Sequence, residues 1–260
     1  MSKKEKFFGV NDLLWGHKWG FKDSSFKING DGSVTFTGNR YEGISGERLP
    51  YLIPFITKVL DIDIKVEPYF KELEHKHVSQ RNINQPFLSE LESTFNSDQI
   101  SFDDNERILH SHGQNSPDEV FKVLYDKLEK FADLVFYIES EEDVLKLIEL
   151  AKKHDVCLVP FGGGTNVTNA LKLPSEENRM IISVDTRRMN KIVSVDRENL
   201  LATVQCGITG KELENQLHHQ GYTTGHQPDS IELSTVGGWI STNAAGMKKN
   251  RYGNIEDIVQ

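Results

Sequence analysis

From Ser116 onward, the apolar positions alternate between two periods. In "SPDEVFKVLYDKLEKF", Val120, Val123, Leu124 and Leu128 recur at helical spacing. Ser116 stands before them as a candidate N-cap, with Pro117 at the first helical position and Glu119 three residues after the cap. The short apolar run "DLVFYI" reads as a strand. "SEEDVLKLIELAKKH" reads as a second helix, capped by Ser140, acidic in its first turn and lysine-bearing in its last, as the helix dipole favours. "VCLVPF" is another strand. Strand, helix and strand with short connections predict parallel strands joined by a right-handed crossover. Further on, "MIISVD", "KIVSVD" and "LLATVQCGI" read as strands, and "TGKELENQLHHQ" as a helix closed by Gly221.

Upstream of Ser116 the pattern is weaker. "INGDGSVTFTGNRY" reads as a turn followed by a strand alternating Val34 and Phe36, and "ERLPYLIPFITKVLDI" as a short helix entered through prolines. Helical fragments and polar loops fill the stretch from Glu67 to Gln114. The expected organisation is a mostly helical leader over residues 1–115 and an α/β unit over residues 116–260, an α+β chain as a whole. The leader aromatics Phe7, Phe8, Trp15, Trp19 and Phe21 are expected to pack across the globular body, since no basic amphipathic helix accompanies them to a membrane.

The chemically suggestive stretch is "VPFGGGTNVTNAL", which opens at Val159 on the carboxyl end of a predicted strand, where ligands of open α/β sheets commonly bind. Three side chains are given up at Gly162, Gly163 and Gly164, and Thr165 and Asn166 add polar groups. Glycine leaves no Cβ in the way, and successive N–H groups of such a loop can converge on a phosphate. A turn between strands uses the same residues, so the triplet alone leaves both readings open. It does not open a helix as a G-x-G-x-x-G loop does, and "GITGKE" at Gly207 lacks the Walker spacing.

A second small-residue stretch runs from Pro228 to Gly253, "PDSIELSTVGGWISTNAAGMKKNRYG". Ser234 or Thr235 is placed to cap a helix whose first N–H groups face an anion. Glycine costs a helix about 1 kcal/mol relative to alanine, so Gly237 and Gly238 need a reason: close packing or ligand contact. Two bulk-free segments flanking one sheet suit a long diphosphate cofactor.

Composition narrows the classes. Apolar residues make up 37% and charged residues 27%, ordinary for a globular protein. The net charge of 30 − 39 = −9 disfavours nucleic acid as a partner, although Lys248, Lys249 and Arg251 form a local basic spot. Cys157 and Cys206 lie in strand-like runs and read as buried, reduced thiols. The histidines lack metal-binding companions, so no metal is expected. No run of 18 apolar residues and no basic-then-apolar leader occurs, which argues against a span or a secretory signal.

"PFGGGTNVTNAL" followed by "GHQPDSIELSTVGGWISTNAAGMKKNRYGNIEDIV" resembles the FAD-binding (PCMH-type) domain of the vanillyl-alcohol oxidase-type flavoproteins, and within them the alkyldihydroxyacetonephosphate synthase family. "KWGFKDSSF", "VTFTGNRYEG" and "ERILHSHGQ" extend the likeness over nearly the whole chain. The resemblance implies that Pro160, Phe161, Gly162, Gly163, Gly164, Thr165 and Asn166 cradle the FAD pyrophosphate. It implies that Asp229, Ser230, Ile231, Glu232, Leu233, Ser234 and Thr235 line the cofactor toward its ring, with Thr242, Asn243, Ala244 and Ala245 continuing that wall. Relatives that attach flavin covalently use a histidine in the glycine loop. Thr165 and Asn166 stand there instead, so FAD is expected without a covalent bond.

The family exchanges the acyl group of acyl-dihydroxyacetone phosphate for a long-chain fatty alcohol, releasing a fatty acid with no net oxidation. The resemblance therefore implies a transferase with lipid substrates and a peroxisomal setting, and leaves open a homodimer and peripheral membrane contact. The family's catalytic positions and its C-terminal substrate domain have no counterpart before Gln260, so no catalytic residue is assigned; His226 is read as a structural or solvated loop histidine. The expectation is a fragment or truncated form with little activity by itself. The alternatives are an FAD oxidoreductase of the same fold acting on a hydroxy acid or alcohol, and a non-catalytic FAD-binding module.

Overall fold

The computed structural model describes residues 14–16, 18–38, 43–64 and 78–260, and the chain divides into two units, Met1–His77 and Val78–Gln260. In the first unit the expected strand is β2 (Val34–Gly38), paired antiparallel with β1 (Ser24–Ile28) and β3 (Arg48–Leu49). Its alternation buries Val34 and Phe36, and Phe36 meets Phe26 directly across the strand pair, 5.0 Å between ring centres. Helix α1 (Leu52–Leu60) follows and ends on Asp61 in the left-handed conformation. The described part of the first unit is thus sheet as much as helix, because Ser24–Ile28 and Arg48–Leu49 both pair with Val34–Gly38. Phe7 and Phe8 lie outside the described residues. Trp19 is 54% exposed, and Trp15 is half-buried with Lys18 over its ring at 4.9 Å.

The second unit is built on a four-stranded sheet. Its order is β4 (Ile100–Ser101), β5 (Leu134–Tyr137), β7 (Ile181–Asp185) and β6 (Cys157–Phe161), all parallel except the antiparallel edge strand β4. The two strands expected to be parallel are so, with β7 inserted between them. All five residues of β7 are buried, as a central parallel strand covered on both faces requires. Leu134, Phe136, Ile182 and Val184 point to one face, where α2 (Gln85–Thr94) and α5 (Glu141–His154) cover them with Phe87, Leu91, Leu147 and Leu150. Each such side chain contributes about 1.5–3 kcal/mol through burial. Ile181 and Ala132 face the other side with Leu173.

Helix α2 lies upstream of the division expected near residue 115, yet Phe87 and Leu91 belong to the core of this sheet, and the spatial division falls at residues 77 and 78. Ser140 caps α5 as expected, accepting from the Asp143 N–H at 3.1 Å. After α3 (Asp104–Leu109), Ser116 occupies the N-cap of α4 (Pro117–Leu124), but its side chain makes no capping bond. The expected capping box does not form, because the Glu119 carboxylate turns to the Gly113 N–H at 2.7 Å.

Beyond the sheet, β8 (Ile192–Asp196) and β9 (Leu201–Val204) form an antiparallel pair. They contribute to a second core with α6 (Gly210–His218), α7 (Val236–Ser241) and, after the short α8 (Lys249–Tyr252), α9 (Ile255–Ile258). Trp239, Ile208, Leu213 and Ile255 are its centre. Gly221 takes φ 82 in the turn that closes α6, where Gly221 N donates to His218 O and Tyr222 N to Leu217 O, both at 3.0 Å. Cys157 and Cys206 are free thiols, half-buried rather than buried. Among the described residues no helix is long and apolar enough to cross a membrane, and no group of three or more His, Cys, Asp or Glu is placed to hold a metal.

Candidate cofactor site

Pro160 and Phe161 end β6, and the chain then leaves the sheet through Gly162, Gly163, Gly164, Thr165 and Asn166. Among the described residues, none of the five N–H groups from Gly162 to Asn166 has a protein acceptor. Gly163 and Gly164 are buried, and a buried N–H left unpaired costs about 1–3 kcal/mol, so these two donors fit an acceptor from outside the chain. Two carbonyls of the loop are held: Gly164 O accepts from Gln114 N at 2.6 Å and Thr165 O from Asn115 Nδ2 at 2.9 Å. Gly164 turns the chain at φ 68. A succession of unpaired amides in such a bend makes an anion-binding concavity.

The missing side chains have a second cause. A Cβ at Gly162 would overlap the Thr235 hydroxyl, and one at Gly163 would overlap the Leu233 carbonyl. The two bulk-free segments therefore touch, and what comes close to the glycine backbone is the chain's own turn at residues 233–235. That turn is tight: the Ser230 carbonyl accepts from Leu233 N at 2.9 Å, Ser234 N at 2.8 Å and Ser234 Oγ at 2.9 Å. Within it Asp229 is exposed, Ile231 reaches toward Gly210, and Glu232 stands 3.5 Å from Lys211. Both candidate hydroxyls work inside the fold. Ser234 Oγ accepts from Trp239 Nε1 at 2.8 Å, and Thr235 caps α7 through Gly238 N at 3.2 Å.

The cap of α7 is as expected; its role as an anion site is not. Val236 N donates to Ile208 O at 3.1 Å, Gly237 N to Cys206 O at 2.7 Å, and Trp239 N to Thr235 O at 2.9 Å, while Gly238 N is taken by the cap. No first-turn amide remains for a ligand. Gly237 is bare because it lies on Cys206, 2.9 Å from a built Cβ to the Cys206 Cβ. Close packing explains this glycine. Thr242, Asn243, Ala244 and Ala245 follow α7 and fold back on it, through Thr242 Oγ1 to Gly238 O at 2.8 Å and Ala244 N to Trp239 O at 2.9 Å.

His226 is 1% exposed, and neither ring nitrogen has a hydrogen-bond partner among the described residues. Its ring centre lies 4.7 Å from that of Trp239, and burial lowers its pKa, so it is held neutral. Of the two readings of this histidine, structural or solvated, its burial against Trp239 fits the structural one. Under the glycine loop, Phe161 lies 4.3 Å from the ring of His110, whose Nε2 bonds the fully buried Asp185 at 2.8 Å. Burial pushes the Asp185 pKa up, but Arg187 and His110 together hold it below the usual carboxylate value. Sequence reasoning gave no role to this network or to the Gly113–Asn115 segment; the local signals were "ERILHSHGQ", which carries part of the family likeness, and the polar run "HGQNS" between two helices.

Residues 132–260 match a family model described as an FAD binding domain. The chain is 43% identical to alkyldihydroxyacetonephosphate synthase of Caenorhabditis elegans over 95% of its own length and 40% of that protein. It is 38% identical to the synthase of Dictyostelium discoideum over 95% of this chain and 41% of that one. A solved structure of alkyldihydroxyacetonephosphate synthase superposes with a TM-score of 0.85 at 36% identity, covering 95% of this chain and 46% of that chain. The chain thus spans about two fifths of the length of these relatives. FAD is the cofactor of this domain. In sequence and in fold, the chain belongs to the alkyldihydroxyacetonephosphate synthase family and carries its FAD-binding domain.

Proposed function

We propose that this chain is the FAD-holding part of an ether-lipid enzyme that exchanges the acyl group of acyl-dihydroxyacetone phosphate for a long-chain fatty alcohol. A fatty acid leaves, an ether bond forms, and no net oxidation occurs. The proposal includes a peroxisomal setting, inherited from the family. One observation carries the cofactor half of the reading: the uninterrupted run of acceptor-less amides from Gly162 to Asn166 at the carboxyl end of β6. Relatives named alkyldihydroxyacetonephosphate synthase support the lipid half.

In this reading the loop amides bind the FAD diphosphate, and the turn at residues 229–235 forms the floor against which the loop is pressed. Bound FAD supplies the reactive ring at which the exchange takes place. With Thr165 and Asn166 where covalent relatives carry histidine, nothing in the loop tethers the ring.

Titrating the purified protein with FAD, followed by flavin fluorescence, tests the cofactor half. Saturable binding is expected, with FAD released intact on acid denaturation. Ether formation from acyl-dihydroxyacetone phosphate and hexadecanol tests the chemistry in the full-length protein. Bleaching of the bound flavin by a 2-hydroxy acid would instead make the protein an oxidoreductase.

A further inference from the structure

We infer that Glu119 is a positioning residue for the cofactor loop, acting through Gly113, Gln114 and Asn115; this deepens the FAD reading of that loop and rests on it. Glu119 is 3% exposed and sits in the first turn of α4. Its Oε1 accepts the Gly113 N–H at 2.7 Å. The tips of two side chains lie against Gly113: a Cβ there would stand 2.7 Å from Glu119 Oε2 and 3.1 Å from Asn166 Nδ2. The carboxylate, the Gly113 backbone and the last residue of the cofactor loop are therefore packed as one block.

The next two residues hold the loop itself. Gln114 N donates to Gly164 O at 2.6 Å, and Asn115 Nδ2 donates to Thr165 O at 2.9 Å. In a trans peptide the C=O and the N–H of one plane point opposite ways. Pinning Gly164 O and Thr165 O against this strap therefore turns the Thr165 and Asn166 N–H groups away from it. That is the orientation an anion needs. Burying a carboxylate is unfavourable, and burial raises the Glu119 pKa, so its retention under the strap is a cost that the helix alone does not require.

The test compares wild-type protein with Glu119→Ala, Glu119→Gln and Asn115→Ala, reading FAD affinity by fluorescence and amide exchange at Gly113 and Gln114 in the FAD-free protein. Glu119→Ala is expected to weaken FAD about tenfold, equivalent to one lost hydrogen bond, and to speed exchange at both amides. Glu119→Gln, which keeps the accepting oxygen, should restore both. Asn115→Ala, which leaves Glu119 in place, should weaken FAD without altering the Gly113 amide, and it carries the test if Glu119→Ala does not fold. Unchanged FAD affinity in Glu119→Ala and Asn115→Ala overturns the inference, as does unchanged exchange in Glu119→Ala. Wild-type protein that takes up no FAD would sink the cofactor reading instead, leaving the strap to be judged by exchange alone.

Discussion

Gly163 and Leu233 meet main chain to main chain, so closely that a Cβ on the glycine would overlap the Leu233 carbonyl and lie 3.0 Å from the Ser234 nitrogen. This contact joins the end of a parallel strand to a turn seventy residues later. With the Gly164 and Thr165 carbonyls bonded and Gly163 pressed on another turn, the loop is held from both sides.

Gly163→Ala is therefore expected to destabilise the protein by about 1–3 kcal/mol, because the Leu233 backbone cannot move aside as a side-chain tip can. Gly30→Ala, where a Cβ meets nothing within 4 Å, should stay within about 0.5 kcal/mol of wild type. Urea unfolding midpoints of the two variants check the contrast; equal losses would count against the contact.

Arg187→Ala should cost about 3–5 kcal/mol, since it strands the buried Asp185 charge with only His110 and a backbone N–H. Asp185 is held below 3.8 in the folded state, so its contribution is present above pH 3.8 and is lost as pH falls through the lower folded value. Without Arg187 burial dominates, and acid unfolding should begin at higher pH. The double variant Asp185→Asn with Arg187→Ala should recover part of the loss in the same urea assay.

His112 supplies a second pH dependence. Its Nδ1–H donates to Gly113 O at 2.7 Å, and burial lowers its pKa from 6.5 to about 4. The unfolded chain takes the proton first, so stability is whole above pH 6.5 and declines as pH falls from there toward 4. The full decline is about 3 kcal/mol. His112→Gln should flatten this part of the stability curve, measured by denaturant unfolding at several pH values.

Ser140→Ala removes the acceptor for the Asp143 N–H at the start of α5. The expected loss is about 1 kcal/mol, read from thermal unfolding. Ser116→Ala, at a cap position whose hydroxyl makes no capping bond, should lose less from its helix.

What the sequence alone determined was local. The cap at Ser140, a cap at Ser234 or Thr235, the helix closed at Gly221, the strands around Phe136, Val159 and Ile182, and the glycine loop at the end of β6 all follow from short periods and from residue types at fixed offsets. These signals live between near neighbours and survive in a single sequence. The tertiary structure decided where β7 goes, that Phe87 belongs to the core of the second unit, and that Glu119 bonds Gly113 rather than closing a capping box. It also separated two segments that look alike in composition: the loop at Gly162 leaves its amides without a protein acceptor, whereas those of α7 are spent on Ile208, Cys206 and Thr235. Both have glycines beside polar residues. Only the pairing of groups far apart in the chain determines which donors are left over, because a hydrogen bond depends on where its acceptor is carried by the rest of the fold.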